Sequence, residues 1–391
     1  MTTPTTNLRL LIGMPDPESL GGPAACEPPF VAELRKQGAL VEEETYVYGD
    51  KLSHTSSARR VNRVLAAAFR LRSKLRSGNY DLLHLNSSFD GRALLRDVVT
   101  LAIIGRRTKV FIKFHGSDGD LLKTQHPMMK HFVGRLLTRV DGIGLLSTEE
   151  KQNFVSAGWP AHKIFVVKNV IERSFPARDE TFNRRHAVSD QTPTLLFIGR
   201  LIPAKGLLDV IAACGILRDR GIQFVLFCVG DGPVRADAEA EVRTLALNDC
   251  VRFIGFVPEE ATAQFYANCS LLVFPTYHYE GFPMTVFYAS AAGMPIITTR
   301  IRGAAEYLKE QENCLWTEPK NPSMLAEKIA MLLNDAEVRS TMSETNKQLV
   351  ANFSPAVVTR DYLDAYNQIV SAAVAGRHEL HSAPAGRQTR K

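Results

Sequence analysis

No apolar run in this chain approaches the roughly 18 residues of a membrane-spanning helix, and the opening MTTPTTNLRLLIGM has no basic leader, long apolar core or cleavage site. These absences lead us to expect neither a membrane span nor a signal peptide. The six cysteines, Cys26, Cys214, Cys228, Cys250, Cys269 and Cys314, show no C-x-x-C spacing. They fit reduced core thiols of a cytoplasmic protein better than a metal or disulfide framework. A G-x-G-x-x-G fingerprint is missing after the first apolar run, where only Gly13 and then Gly21-Gly22 occur. The nearest spacing, Gly142-x-Gly144, opens a strand, so a dinucleotide-dependent oxidoreductase is disfavoured.

What is present reads as two domains. At 391 residues the chain is too long for one ordinary core, and 45% hydrophobic with 23% charged residues is usual for a soluble globular protein. Strand-like runs at Leu8 to Ile12, Leu40 to Val47, Asp81 to Leu85, Lys109 to Phe114, Gly142 to Leu146 and Ile164 to Val167 alternate with helical patterns. After a charged passage the alternation restarts at Thr194 to Ile198, Phe224 to Val229, Val251 to Ile254, Leu271 to Phe274, Pro295 to Thr298 and Cys314 to Thr317. Such alternation predicts α/β domains built on doubly wound parallel sheets. We place an N-terminal domain at 1–175, a linker at 176–193 and a second domain at 194–352. A C-terminal helix at 353–376, which could return to the first domain, and a basic disordered tail at 377–391 complete the chain.

The stretch from Leu271 to Thr298 organises the second domain, because strand, polar loop, helix and strand follow without a break. Its loop, with Glu280, Gly281, Phe282 and Pro283, falls where open α/β sheets bind ligands. Helix N-termini there suit anions, so Glu280 points instead to a hydroxyl-rich neighbour such as a sugar, or else is a first-turn carboxylate favoured by the helix dipole. Gly199, Arg200 and Lys205 follow the domain's first strand, and the two cations suit a diphosphate unless they are ordinary surface charges. Gly230, in Gly230-Asp231-Gly232-Pro233, makes a tight turn that needs no ligand. Asp118-x-Asp120 suits caps better than a metal, since no third ligand is nearby, and we expect no metal.

Together these residues resemble glycosyltransferase family 4. The resemblance rests on Gly199-Arg200 through Lys205-Gly206, Gly230 to Pro233, Phe253-x-Gly255, Phe274-Pro275-Thr276, Glu280 to Pro283 and Ala291-Ala292-Gly293-x-Pro295, collinear over about Thr194 to Leu333. The first half is similar more loosely, through Gly21-Gly22, Phe114 to Asp118 and Ser147 to Asn169. The resemblance implies a GT-B fold, two Rossmann-like domains facing across a cleft, and retaining transfer of a hexose from a UDP- or GDP-sugar co-substrate without a further cofactor. It implies that Arg200 and Lys205 hold the diphosphate, Glu280 a sugar hydroxyl, and the Gly281-Phe282-Pro283 backbone the sugar and phosphates. Gly21, Gly22 and His115 would contact the donor from the first domain. Two fixed cations would stabilise charge where it develops on the departing diphosphate.

The sequence also departs from that pattern. Eight positions after Glu280, where the family has a second Glu that binds ribose hydroxyls, stands Tyr288. A phenol is a neutral single-oxygen partner, which raises the alternative of a catalytically weakened nucleotide-sugar-binding protein. Val170 and Cys314 replace two further glycines away from the chemistry. For the acceptor, a lipid-linked or polysaccharide molecule, the clue is the segment from Lys51 to Tyr80, which has seven Arg and Lys after Lys51 and no Asp or Glu. Val61, Val64, Leu65, Ala68 and Phe69 share a helical face there, so residues 56–77 form a basic amphipathic helix that either packs on its own domain or lies on an anionic membrane. The net charge of +6 lacks the aromatic-interleaved patch of a nucleic-acid binder, so no nucleic acid is expected. The location implied is cytoplasmic, peripheral to the inner face of the membrane.

Overall fold

Short apolar runs bounded by turn residues become two parallel sheets. In the computed structural model, which describes residues 7–16, 21–46, 57–278 and 280–381, the first sheet has the order β2-β1-β3-β4-β5-β6. Its strands are β1 (Arg9–Met14), β2 (Leu40–Thr45), β3 (Leu82–Phe89), β4 (Lys109–Ser117), β5 (Gly142–Leu145) and β6 (Ile164–Val166). The second has the order β12-β11-β10-β7-β8-β9, from β7 (Thr194–Ile198), β8 (Val225–Val229), β9 (Val251–Gly255), β10 (Leu271–Phe274), β11 (Ile296–Thr299) and β12 (Cys314–Thr317). Every position of β7 and β8 is buried, which is why TLLFI and VLFCV read as unbroken apolar runs rather than alternating ones. All six cysteines are free and five are buried, as expected of core thiols.

The chain divides into two compact units, Met1–Val170 with Pro355–Lys391, and Ile171–Ser354. In the first, helix α1 (Gly22–Lys36) packs against the C-terminal helix Pro355–His381. Tyr362 and Tyr366 of that helix are fully buried against Phe30, His84 and Phe111. The helix runs on into the segment expected to be a disordered tail, because Ala, Arg, Glu and Leu in that stretch favour helix. Residues 382–391 lie outside the described residues. The charged passage expected as a linker belongs to the second unit instead. Phe182 is buried there against Phe227 and Phe265, and Arg173 donates to Glu259 Oε1 at 2.9 Å.

Helix α2 (Ser57–Ser77) corrects the expectation for the basic segment. Its buried residues are Ala67, Ala68, Leu71 and Leu75, so of the anticipated apolar face Ala68 is fully covered and Val64 and Leu65 are half-buried, while Val61 and Phe69 are 56% and 58% exposed. The acids that the segment lacks come largely from β2: Arg70 meets Glu44 at 2.7 Å and Lys74 meets Glu42 at 2.9 Å. Arg63 meets Asp16 at 2.7 Å. Exposed pairs of this kind contribute about 0–1 kcal/mol each, so they orient the helix more than they stabilise it.

Both sheets reverse their strand order, between β1 and β3 in the first and between β7 and β10 in the second, and ligand crevices form at the carboxyl ends of strands at such points. Gly230, just past β8, has φ +131°, and a Cβ there would lie 2.0 Å from the Gly199 carbonyl oxygen. The turn brings two backbones together more closely than any side chain permits. Gly230→Ala should therefore destabilise the protein by roughly 2–4 kcal/mol, read as a shifted midpoint in urea with an unchanged slope.

Candidate functional site

Loops leaving β7 and β10 diverge at the reversal in the second sheet. β7 runs into Gly199, the exposed Arg200 and the tight turn Pro203–Lys205; β10 runs into the segment preceding the helix Met284–Ala291. Backbone contacts tie these loops together. The Tyr277 N–H donates to the Ala204 carbonyl at 2.8 Å, and a Cβ on Gly206, at φ +80°, would fall 2.6 Å from the Pro275 carbonyl oxygen. Lys205, 5% exposed, is thereby brought against Glu280, whose Oε1 accepts a hydrogen bond from its Nζ. Glu280 Oε2 is buried and has no hydrogen-bond partner among the described residues. A buried carboxylate oxygen left open is an acceptor site for a ligand hydroxyl.

The field around this pair is positive. Burial first, and the Arg200 guanidinium second, lower the Lys205 ammonium toward about 7, while the Glu280 contact favours its charge. His278, two residues before Glu280, is lowered to about 4 by burial and then by Lys205, Arg200 and Arg302. Three cations acting on one imidazole mark a place suited to an anion. Arg302 was not singled out from the sequence. It is 7% exposed at φ +39°, a conformation unusual outside glycine, and its neighbour Gly303 donates to the Gly281 carbonyl at 3.0 Å.

Gly281, Phe282 and Pro283 are buried, and Pro283 caps the N-terminus of the following helix. The Phe282 ring stacks on Phe287 with centroids 3.8 Å apart and meets Tyr307 and Phe353, so its side chain is committed to the core and only its backbone faces the loop chemistry. Tyr288 is 7% exposed, and the Arg173 guanidinium lies 4.5 Å from its ring centroid. That cation–π contact comes from the charged passage that interrupts the alternation of strands and helices, and no local pattern announces it.

The remaining expected residues lie in the first unit. Gly21 precedes α1 with φ +113°, Gly22 opens that helix, and His115 stands near the end of β4. His115 Nε2 lies 3.0 Å from Asn86 Oδ1. Asp118 accepts from the Asp120 N–H at 3.0 Å, the capping role weighed against a metal. Cys26, Glu27 and His115 place ligand-type atoms within 4.8 Å of one another. The Lys113 ammonium already sits 2.6 Å from Glu27 Oε1, and burial raises the Cys26 thiol far above its ordinary value, so the trio is matched to an internal cation. Burial pushes the Glu27 carboxyl up, but the Lys113 ammonium beside it outweighs this and holds the group below the usual carboxylate range. The one sequence signal for this cluster is a charged residue at Lys113 inside the apolar run of β4.

The family described as Glycosyltransferase Family 4 matches residues 30–175, and Glycosyl transferases group 1 matches residues 178–349. The chain belongs to this glycosyltransferase family. It is 27% identical over 221 residues to the N,N'-diacetylbacillosaminyl-diphospho-undecaprenol alpha-1,3-N-acetylgalactosaminyltransferase of Campylobacter jejuni, a match covering 54% of this chain and 56% of that protein. The chain spans about half the length of the first curated relatives it matches. Sucrose-phosphate synthase from Thermosynechococcus elongatus superposes with a TM-score of 0.76 at 18% identity, over 94% of this chain and 100% of that one. HepE of Anabaena, in complex with UDP and glucose, superposes with a TM-score of 0.69 at 18% identity, over 91% and 98%. At that identity the likeness establishes the fold, GT-B with two Rossmann-like domains and a helical C-terminus.

The lowered Lys205 ammonium gives a pH signature. Bringing diphosphate oxygens beside it would raise its pKa, so binding takes up a proton wherever free Lys205 has begun to lose one, above about pH 7. Affinity for a nucleoside diphosphate seated against Lys205 should be full below that pH and fall by up to about tenfold per unit as pH rises through it. Calorimetry at pH 8 in buffers of different ionisation enthalpy should register proton uptake, and Lys205→Met should abolish it.

Proposed function

We propose that this protein transfers a hexose, with retention of anomeric configuration, from a nucleoside diphosphate sugar to a lipid-linked or polysaccharide acceptor. The observation that carries the reading is the contact of the buried Lys205 with the half-buried Glu280 at the strand-order reversal, with Arg200 beside it and one Glu280 oxygen left open. Lys205 and Arg200 hold the diphosphate, and Glu280 accepts from a sugar hydroxyl. The first-turn amides after Pro283 add partial positive charge at the same place. The anomeric C–O bond breaks with its electron pair on the phosphate oxygen, where the two cations meet the charge as it develops. The acceptor hydroxyl forms the new C–O bond and gives its proton to the departing diphosphate. UDP-glucose leads the list of donors to try, because HepE is complexed with UDP and glucose, and the Campylobacter relative's name supports a polyprenyl diphosphate acceptor.

Tyr288 favours a second reading. With Arg173 over its ring it offers no carboxylate to a ribose, which fits a protein that binds nucleotide sugars and turns them over poorly. A panel of UDP-, GDP- and ADP-hexoses, followed for hydrolysis and by thermal shift, separates the two: stabilisation without turnover of any donor favours the binding protein. If the transfer reading is right, Lys205→Ala and Arg200→Ala each lower turnover on the order of 100-fold while leaving the fold intact. Near-normal turnover in either variant would sink the assigned roles.

The acceptor reading extends to the membrane. No helix among the described residues is long and apolar enough to cross one, so contact with a lipid-borne acceptor would be peripheral. Val61 and Phe69 stand exposed, two turns apart on α2, with arginines around them. We expect the protein to sediment with anionic vesicles at low salt. Val61→Ser with Phe69→Ser should lower the membrane partition constant on the order of 100-fold, since two apolar side chains buried in the bilayer surface contribute about 1.5–3 kcal/mol each. Equal sedimentation with neutral vesicles, or none at all, counts against the anionic surface.

A further inference from the structure

Arg302 combines two costs at one position of the second unit. It stands at φ +39°, a left-handed conformation that strains a residue with a side chain, and it is 7% exposed. A buried guanidinium and a strained backbone both cost stability, and strain of this kind gathers at ligand sites. Its neighbours fix where Arg302 sits. β11 leads out through Arg300 and Ile301 into the short helix Arg302–Tyr307. The Gly303 N–H donates to the Gly281 carbonyl at 3.0 Å, and a Cβ on Gly303 would come 2.4 Å from that same oxygen. The backbone carrying Arg302 is therefore pressed against the residue that follows Glu280, and its charge also reaches His278, two residues before Glu280.

Strand order separates Arg302 from the other two cations. β10, which leads to Glu280, lies between β7 and β11. Arg200 and Lys205 follow β7, whereas Arg302 follows β11, so the cations flank the Glu280 loop from opposite sides. Two strand spacings amount to roughly 10 Å. That is more than a diphosphate spans, and about the reach of a diphosphate with a pyranose attached. With the phosphates against Arg200 and Lys205 and a sugar hydroxyl on the open Glu280 oxygen, the far edge of the ring comes to the β11 side. A fixed guanidinium there is matched to a carboxylate, which it can hold by two parallel hydrogen bonds.

We propose that Arg302 selects the donor sugar by a carboxylate, so that the hexose carried on the nucleoside diphosphate is a hexuronic acid. This rests on the transfer reading, in which the diphosphate lies at Arg200 and Lys205. Glu280 would repel a second carboxylate, but the Lys205 ammonium meets its charge at Oε1, which leaves Arg302 to set the sign on the β11 side.

Binding measured by calorimetry on the full chain, without turnover, tests it. UDP-glucuronate should bind at least about tenfold more tightly than UDP-glucose, or GDP-mannuronate than GDP-mannose where guanine is the base, which is the ratio a hydrogen bond to a charged group supplies. Glycine takes φ +39° without strain, so Arg302→Gly should fold, and it should bring that ratio to within about twofold of one. Should glycine loosen the loop, Arg302→Asn places there a residue that tolerates positive φ and serves the same comparison. Equal or weaker binding of the uronate by the unaltered protein overturns the proposal and leaves the transfer reading standing. A ratio that Arg302→Gly leaves unchanged, both affinities falling together, makes Arg302 a third diphosphate cation, and the proposal falls. If no nucleoside diphosphate sugar binds, the transfer reading fails and takes the proposal with it.

Discussion

A lysine that is 5% exposed keeps its charge only when an anion touches it, and here that anion comes from a residue 75 positions away. The Lys205–Glu280 contact constrains much of the second unit. The loop after β10 must come back to the turn after β7, which the Tyr277–Ala204 hydrogen bond and the side-chain-free Gly206 make possible. Gly281 is held from the other side by the Gly303 N–H. Behind it, the rings of Phe282, Phe287, Tyr307 and Phe353 form one packed group, so the loop carrying Glu280 rests on a rigid floor. Charges fixed in this way need no reorganisation when a ligand's charge develops, and that is where electrostatic stabilisation is largest.

The two units treat buried charge differently. In the first, Glu27 and Lys113 neutralise each other inside the core, and Asn86 uses the remaining carboxylate oxygen, so the network is closed around a neutral His115. In the second, the pair is left open: Glu280 keeps an unused oxygen, and Arg200 and Arg302 add positive field. A closed network fixes geometry and an open one binds. The exposed pairs of α2 do neither strongly, because water screens them.

Tyr288 shows how one substitution is absorbed. A carboxylate in its place would lie beside the Arg173 guanidinium that now covers the phenol ring, and Arg173 is itself anchored on Glu259. The tyrosine therefore packs into an existing cationic neighbourhood, with Tyr266 edge-on at 6.2 Å, rather than standing as an isolated change.

Sequence by itself determined the architecture. Thr194 to Ile198, Leu271 to Phe274 and Cys314 to Thr317 fold as strands with the bounds their apolar runs suggest, because strands buried on both faces need only local hydrophobicity to be recognised. The glycines and charges at strand ends likewise stood out from their neighbours: Arg200, Lys205 and Glu280 follow buried strands directly. Tertiary structure decided everything that depends on which distant segment arrives opposite. The covered face of α2 differs from the one its apolar spacing suggests, since β2 supplies the acids that draw the helix's basic side toward the sheet. Arg173 carries no local signal, and only the fold brings a tyrosine ring from a distant helix against it. Asn86, Glu27 and His115 carry no common local signature; only the parallel register of β1, β3 and β4 and the seat of α1 place an amide, a carboxylate and an imidazole within hydrogen-bonding distance. Periodicity reports which side of an element is buried in the average protein, whereas hydrogen bonds and ion pairs are made between atoms about 3 Å apart, and only the assembled fold specifies those distances.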